Sequence, residues 1–119
     1  CAWSEMLRKG RPLRLDGDGE QTRDFIHVQD IVLANIYAMQ SSKWFGGKFY
    51  NIGTGKSVSL NFIKNFIDQH FCVEWKRAGA RNGDVEHSVA DISETKKDLE
   101  WSAQVDIQEG LKRCFKELK

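Results

Sequence analysis

Residues 17–30 read Gly17-Asp18-Gly19-Glu20-Gln21-Thr22-Arg23-Asp24-Phe25-Ile26-His27-Val28-Gln29-Asp30, a turn-forming tract that runs through β-formers toward a helix. The alternating aspartates and glycines close a tight turn, because both residue types tolerate the backbone angles that turns require. Residues 23–28 are predicted as a strand. Asp30 is predicted as the cap of a helix over 31–40, whose apolar positions Ile31, Val32, Ala34, Ile36, Ala38 and Met39 cover a wide face. Ahead of the turn, residues 13–15 read as a short strand. Residues 2–9 carry Trp3, Met6 and Leu7 at helical spacing, with Gly10 as the stop.

Further along, Gly46-Gly47 marks a turn and residues 48–52 a strand. A second capped helix is expected from Ser59, with Leu60, Ile63, Phe66 and Ile67 inward. Residues 72–76 alternate, Val73 and Trp75 on one face, as a half-buried strand does. Asp91-Ile92-Ser93-Glu94 and Asp106-Ile107-Gln108-Glu109 each set a capping aspartate three residues before a glutamate. The last helix carries Ile107, Leu111, Cys114, Phe115 and Leu118 on one stripe, whose plain reading is core packing. The mixed order of strands and helices implies an α+β unit, or a fragment of a larger α/β protein. No linker or repeat divides residues 1–119.

Composition narrows the function classes. The chain has 119 residues, 40% apolar and 29% charged, with a formal charge of +1. It is long enough to bury roughly two thirds of its unfolded surface. So small a net charge supplies no general field for nucleic acid or an anionic membrane, and any anion must meet locally placed arginines. No apolar stretch approaches a membrane span and no signal peptide opens the chain. Cys1, Cys72 and Cys114 lie far apart in an odd count, which fits reduced thiols in the cytoplasm. The histidines are scattered, so no metal site is implied. The first residue is Cys1 rather than Met and opens a helix already under way, a hint of truncation, although processing would look the same.

Two local motifs invite readings that their neighbours refuse. Gly53-Thr54-Gly55-Lys56-Ser57 stands between a strand and a helix, where a phosphate loop would sit. The position that must be glycine for a nucleoside-triphosphate loop is Tyr50, which leaves a plain turn. Asp16-Gly17-Asp18-Gly19-Glu20 begins like a calcium loop, but its sixth and twelfth positions are Gln21 and His27. Catalytic arrangements are also missing. No G-x-G-x-x-G opens a strand–turn–helix. Neither Tyr37 nor Tyr50 has a lysine four residues on, the cation that would lower a tyrosine's pKa for acid–base work.

Residues 17–30, residues 49–55 (Phe49-Tyr50-Asn51-Ile52-Gly53-Thr54-Gly55) and residues 81–91 (Arg81-Asn82-Gly83-Asp84-Val85-Glu86-His87-Ser88-Val89-Ala90-Asp91), followed by Leu99-Glu100-Trp101, together resemble the extended short-chain dehydrogenases. Within that family they are most similar to the NAD-dependent nucleotide-sugar epimerases and dehydratases, in particular the UDP-glucose and UDP-N-acetylglucosamine 4-epimerases. The order and spacing of the three segments hold across nearly the whole chain. The resemblance implies the carboxy-terminal substrate lobe of a Rossmann-type enzyme, without the NAD-binding half. It implies a UDP-sugar ligand, NAD in the complete enzyme but not on this chain alone, no catalytic residue here, and work in cell-surface polysaccharide synthesis. By the same resemblance Arg23 and Arg81 match the arginines on the diphosphate, Asp84 the residue on the ribose, and Gln21 and Phe25 positions beside the nucleotide.

The chemistry of these residue types is compatible. A guanidinium donates paired bonds in a fixed plane that suits phosphate oxygens, and a carboxylate accepts from ribose hydroxyls. Each has a plainer alternative. Arg23 beside Asp24 also reads as a surface ion pair, Arg81 as one of several solvated charges near Lys76 and Arg77, and Asp84 after Gly83 as a turn residue. Trp75 and Trp101 read as packing residues. Helices that would cover a Rossmann sheet, above all residues 31–40, are expected to leave apolar surface bare and to favour a homo-oligomer. A stand-alone binding or assembly module is the alternative reading.

Overall fold

The computed structural model describes residues 2–116. The elements in order are helix α1 (Ala2–Arg8), strands β1 (Leu13–Asp16) and β2 (Thr22–Arg23), helix α2 (Val28–Gln40), strand β3 (Val58–Ser59), helix α3 (Leu60–His70), strand β4 (Trp75–Ala78), and helices α4 (Ser93–Leu99) and α5 (Ile107–Lys116). β1 and β4 pair in parallel, Leu13 opposite Trp75 and Asp16 opposite Ala78. β2 and β3 pair antiparallel. The mixture of helices with two small sheets agrees with the expected α+β class.

Two hydrophobic clusters hold these elements. In the first, Leu13 of β1 meets Ile63, Phe66 and Ile67 of α3 and Phe115 of α5. Trp3, Met6 and Leu7 of α1 and Ile107 and Leu111 of α5 pack around them, as their helical spacing requires. Trp75 meets Trp3 edge to face at 5.2 Å, and its indole donates to Asp68. In the second cluster Ala34 of α2 packs with Leu99 and the buried Trp101. Both tryptophans are therefore packing residues. Of the last-helix stripe, Cys114 is exposed and Leu118 lies outside the described residues, as does Cys1.

Several boundaries differ from expectation. Of the strand expected over 23–28, only Arg23 is strand, as the end of β2, and Val28 already belongs to α2. His27 caps α2 by accepting the Gln29 amide at its Nδ1. Asp30 is thus not the cap. It is fully buried and accepts from the Gln104 and Val105 amides, each at 3.0 Å. Residues 48–52 form no strand; side chains pin this stretch instead, with Lys48 and the Tyr50 hydroxyl both on Asp98. The strand expected over 72–76 is shifted to β4. Ser59 caps α3 as expected, through Phe62 N. Asp106 accepts from Gln108 N at the start of α5. Asp91 accepts from the Ser93 amide and hydroxyl one residue ahead of the assigned cap of α4.

Candidate functional site

Arg23 and Asp84 are brought together by the backbone of β2. One edge of β2 pairs with β3, and the other takes residues 86–88: Thr22 N donates to Glu86 O and Ser88 N to Thr22 O. That second edge carries the 81–84 turn to Arg23. The turn is closed by Asp84 N donating to Arg81 O, and Gly83 sits at φ +78°, a conformation that favours glycine. Arg81 and Asp84 therefore stand at the two ends of one turn, each with its own partner.

Asp84 Oδ1 accepts from Arg23 Nη2 at 2.7 Å, while Arg23 Nη1 donates to Thr22 O at 2.7 Å. Both terminal nitrogens of Arg23 are thus engaged. Arg81 differs: its Nε donates to Asp16 Oδ2 at 2.6 Å, and its side chain is 70% exposed. Asp16, at the end of β1, also pairs with Arg14. Gln21 Nε2 donates to the main-chain oxygen of Asp16 at 2.8 Å. Gln21, Arg23, Arg81 and Asp84 thus share one surface, linked through Asp16 and the 81–84 turn. The hydrogen bond from Arg14 lowers the Asp16 carboxyl below its ordinary value; burial opposes this, and Arg81 adds to the lowering.

Phe25 is placed apart. It leaves the strand tract and lines a cleft of about 280 Å³ with Thr54, Lys56, Val58 and residues 103–107. Its cleft is lined by none of the residues of the arginine turn.

Arg23 does not pair with its neighbour Asp24. The Asp24 carboxylate faces the other way, into the 53–55 turn, and accepts from Thr54 N, Thr54 Oγ1, Gly55 N and Ala90 N. Burial pushes the Asp24 carboxyl up, but these donors outweigh it, and the net shift is downward. Gly53 admits the carboxylate: a Cβ there would lie 2.7 Å from Asp24 Oδ2 and 2.6 Å from Ala90 Cβ. The glycine turn that looked like a phosphate cradle is therefore filled by the protein's own anion. It does not fit a dinucleotide pyrophosphate. Residues 17–19 turn the chain after β1, and the described residues contain no group of three or more side chains that could hold a metal ion. None of their helices is long and apolar enough to cross a membrane.

Sequence reading missed the anchoring roles of Asp16 and Asp24. A turn of consecutive amides at 53–55 is a signal that an anion must face it, although not which one. Nothing local pairs Asp16 with Arg81, 65 residues away.

Comparison with known proteins gives the family. The family model described as GDP-mannose 4,6 dehydratase matches residues 4–114. A UDP-glucuronate 4-epimerase of Thermodesulfobacterium geofontis is 36% identical over 106 residues, which cover 87% of this chain and 32% of that protein. A putative UDP-glucose 4-epimerase of Methanocaldococcus jannaschii is 34% identical over 117 residues, covering 97% of this chain and 36% of that protein. Among solved structures, the UDP-glucose 4-epimerase of Thermotoga maritima with UDP-glucose matches with a TM-score of 0.78 and 30% identity, covering 98% of this chain and 38% of that one. The UDP-N-acetylglucosamine 4-epimerase of Methanobrevibacter ruminantium, in complex with UDP-N-acetylmuramic acid, matches with a TM-score of 0.82 and 31% identity over 96% of this chain and 36% of that one. The chain spans about a third of the length of these relatives, and the matched region is their carboxy-terminal part. The chain belongs to the extended short-chain dehydrogenase family of NAD-dependent nucleotide-sugar epimerases and dehydratases.

Proposed function

We propose that this chain is the UDP-sugar-binding surface of an NAD-dependent epimerase or dehydratase, working in the cytoplasm. Arg23 and Arg81 hold the diphosphate, Asp84 takes the ribose hydroxyls, and Gln21 and Phe25 flank the nucleotide. The observation that carries this reading is the 81–84 turn, which sets Arg81 and Asp84 beside Arg23 on one surface. The UDP-sugars in the related solved structures support it.

An order of events goes with this reading. Arg81 has terminal nitrogens without a partner among the described residues, so it meets a phosphate first. Arg23 is closed by Asp84 and opens only when that pair is exchanged. Asp84 then accepts from the ribose while Arg23 turns to the diphosphate. One charged pair is replaced by two charge-assisted contacts, so the exchange is not opposed by an uncompensated charge. Binding energy collected on the diphosphate orients the sugar for chemistry carried out elsewhere. By the family resemblance, the NAD that would accept the hydride and the acid–base pair are held by residues outside these 119, and this chain by itself is expected not to turn over a nucleotide sugar.

Calorimetric titration with UDP and UDP-N-acetylglucosamine tests the reading. Arg81→Ala is expected to weaken binding about tenfold or more, since a charge-assisted bond contributes on the order of 1.5–3 kcal/mol. UDP binding that Arg81→Ala leaves intact would sink the proposed clamp.

A further inference from the structure

The two arginines of the proposed clamp are held in different ways, and the difference lies in Asp16. Arg23 gives both terminal nitrogens to protein acceptors, Thr22 O and Asp84. Among the described residues, Arg81 is gripped only at Nε, by Asp16 Oδ2. A guanidinium has three edges, and a bond at Nε leaves the edge formed by the two terminal nitrogens facing outward. That edge can still take two phosphate oxygens as a pair.

Asp16 is suited to aim that edge. Its side chain is only 11% exposed, whereas that of Arg81 is 70% exposed. It ends β1, whose register with β4 fixes its main chain opposite Ala78. Gln21 ties down its carbonyl, and Arg14 holds its second carboxylate oxygen. An exposed arginine without such an anchor samples many rotamers and gives up that freedom on binding. Charge does not forbid the role. One carboxylate lies between two guanidiniums, so the group stays net positive toward an anion. Arg23 and Asp84 make a neutral pair by comparison.

We propose that Asp16 is a positioning residue for nucleotide binding, holding Arg81 by Nε so that its terminal nitrogens face the diphosphate. This rests on the reading of Arg81 as a diphosphate ligand. The opposite role, a built-in anion that blocks Arg81, predicts the opposite sign for the same variant.

The test is calorimetric titration of the 119-residue chain with UDP, with thermal melts run alongside to follow folding. Asp16→Asn is expected to weaken UDP binding about fivefold or more, and to cost nothing further in an Arg81→Ala background. Asp16→Glu keeps the charge and moves it by one methylene. It is expected to weaken binding about two- to threefold, and it serves as the deciding variant where Asp16→Asn loses its melting transition. If Arg81→Ala weakens binding while Asp16→Asn leaves it unchanged or tightens it, the positioning role is overturned and the clamp stands. The positioning role also falls if Asp16→Glu binds as wild type does, or if the Asp16→Asn loss adds in full to that of Arg81→Ala. No UDP binding by the wild-type chain, or none lost in Arg81→Ala, overturns the clamp and this inference together.

Discussion

Asp24 and Arg23 are chain neighbours that serve opposite sides of β2. Arg23 points to the 81–84 turn, and Asp24 gathers the amides of Thr54, Gly55 and Ala90. Removing the charge of Asp24 leaves partly buried donors without a full acceptor, so Asp24→Asn is expected to cost about 2 kcal/mol in urea denaturation. The pH dependence has a definite sign. The folded pKa of Asp24 lies below its ordinary value, so this stabilisation is complete above about pH 4, where an unfolded aspartate is ionised. It is lost as the pH falls through the lower folded value. The Tm gap between wild type and Asp24→Asn is therefore expected to be widest near neutrality and to close in acid. A gap that widens as the pH falls below the ordinary aspartate value would contradict this account.

At the scale of the element, α2 shows how a correct helix prediction carried a wrong cap. Helical periodicity over 31–40 was visible in the sequence, yet His27 moves the start of the helix back to Val28. Asp30 then sits in the first turn with its side chain turned inward, tying α2 to residues 104–105 ahead of α5. Local sequence could not distinguish these roles, because an aspartate that accepts from its own helix and one that accepts from a distant loop have the same neighbours. Asp30→Ala leaves two part-buried amides without their buried acceptor and is expected to destabilise the fold by roughly 2–4 kcal/mol, measured as a lower urea midpoint. A cap alone would cost nearer 1 kcal/mol. The missing strand at 48–52 has the same kind of cause. Its residues are β-formers, but ion pairs to α4 hold the stretch without a sheet partner.

The whole molecule is extended, with a radius of gyration of 16.7 Å. A compact domain of this length would have about 13–14 Å. Much apolar surface stays outside in consequence. Val28, Val32, Ile36 and Met39 make one stripe along α2, and Val28 and Met39 are 69% and 83% exposed. A stripe of this kind favours association between copies. Light scattering across a concentration series is expected to show mass rising above that of one chain, and Val32→Lys with Ile36→Lys is expected to restore the monomer. A wild-type chain that stays monomeric at all concentrations would remove the oligomer from the proposal.

The class of fold, the starts of four of the five helices to within a residue or two, and the family were all legible in the amino-acid order, because these depend on periodicity, capping chemistry and local motifs. Gln21, Arg23, Arg81 and Asp84 were available there as candidates too, through the resemblance. What each of them touches was settled by the tertiary fold alone. Arg23 meets Asp84 across 61 positions, and Arg81 meets Asp16 across 65. Neither pairing leaves a local trace, since a guanidinium accepts any carboxylate that the fold delivers. The strand edge of β2 and the turn at Gly83 make that delivery, and they do so through backbone hydrogen bonds that side-chain identity does not encode.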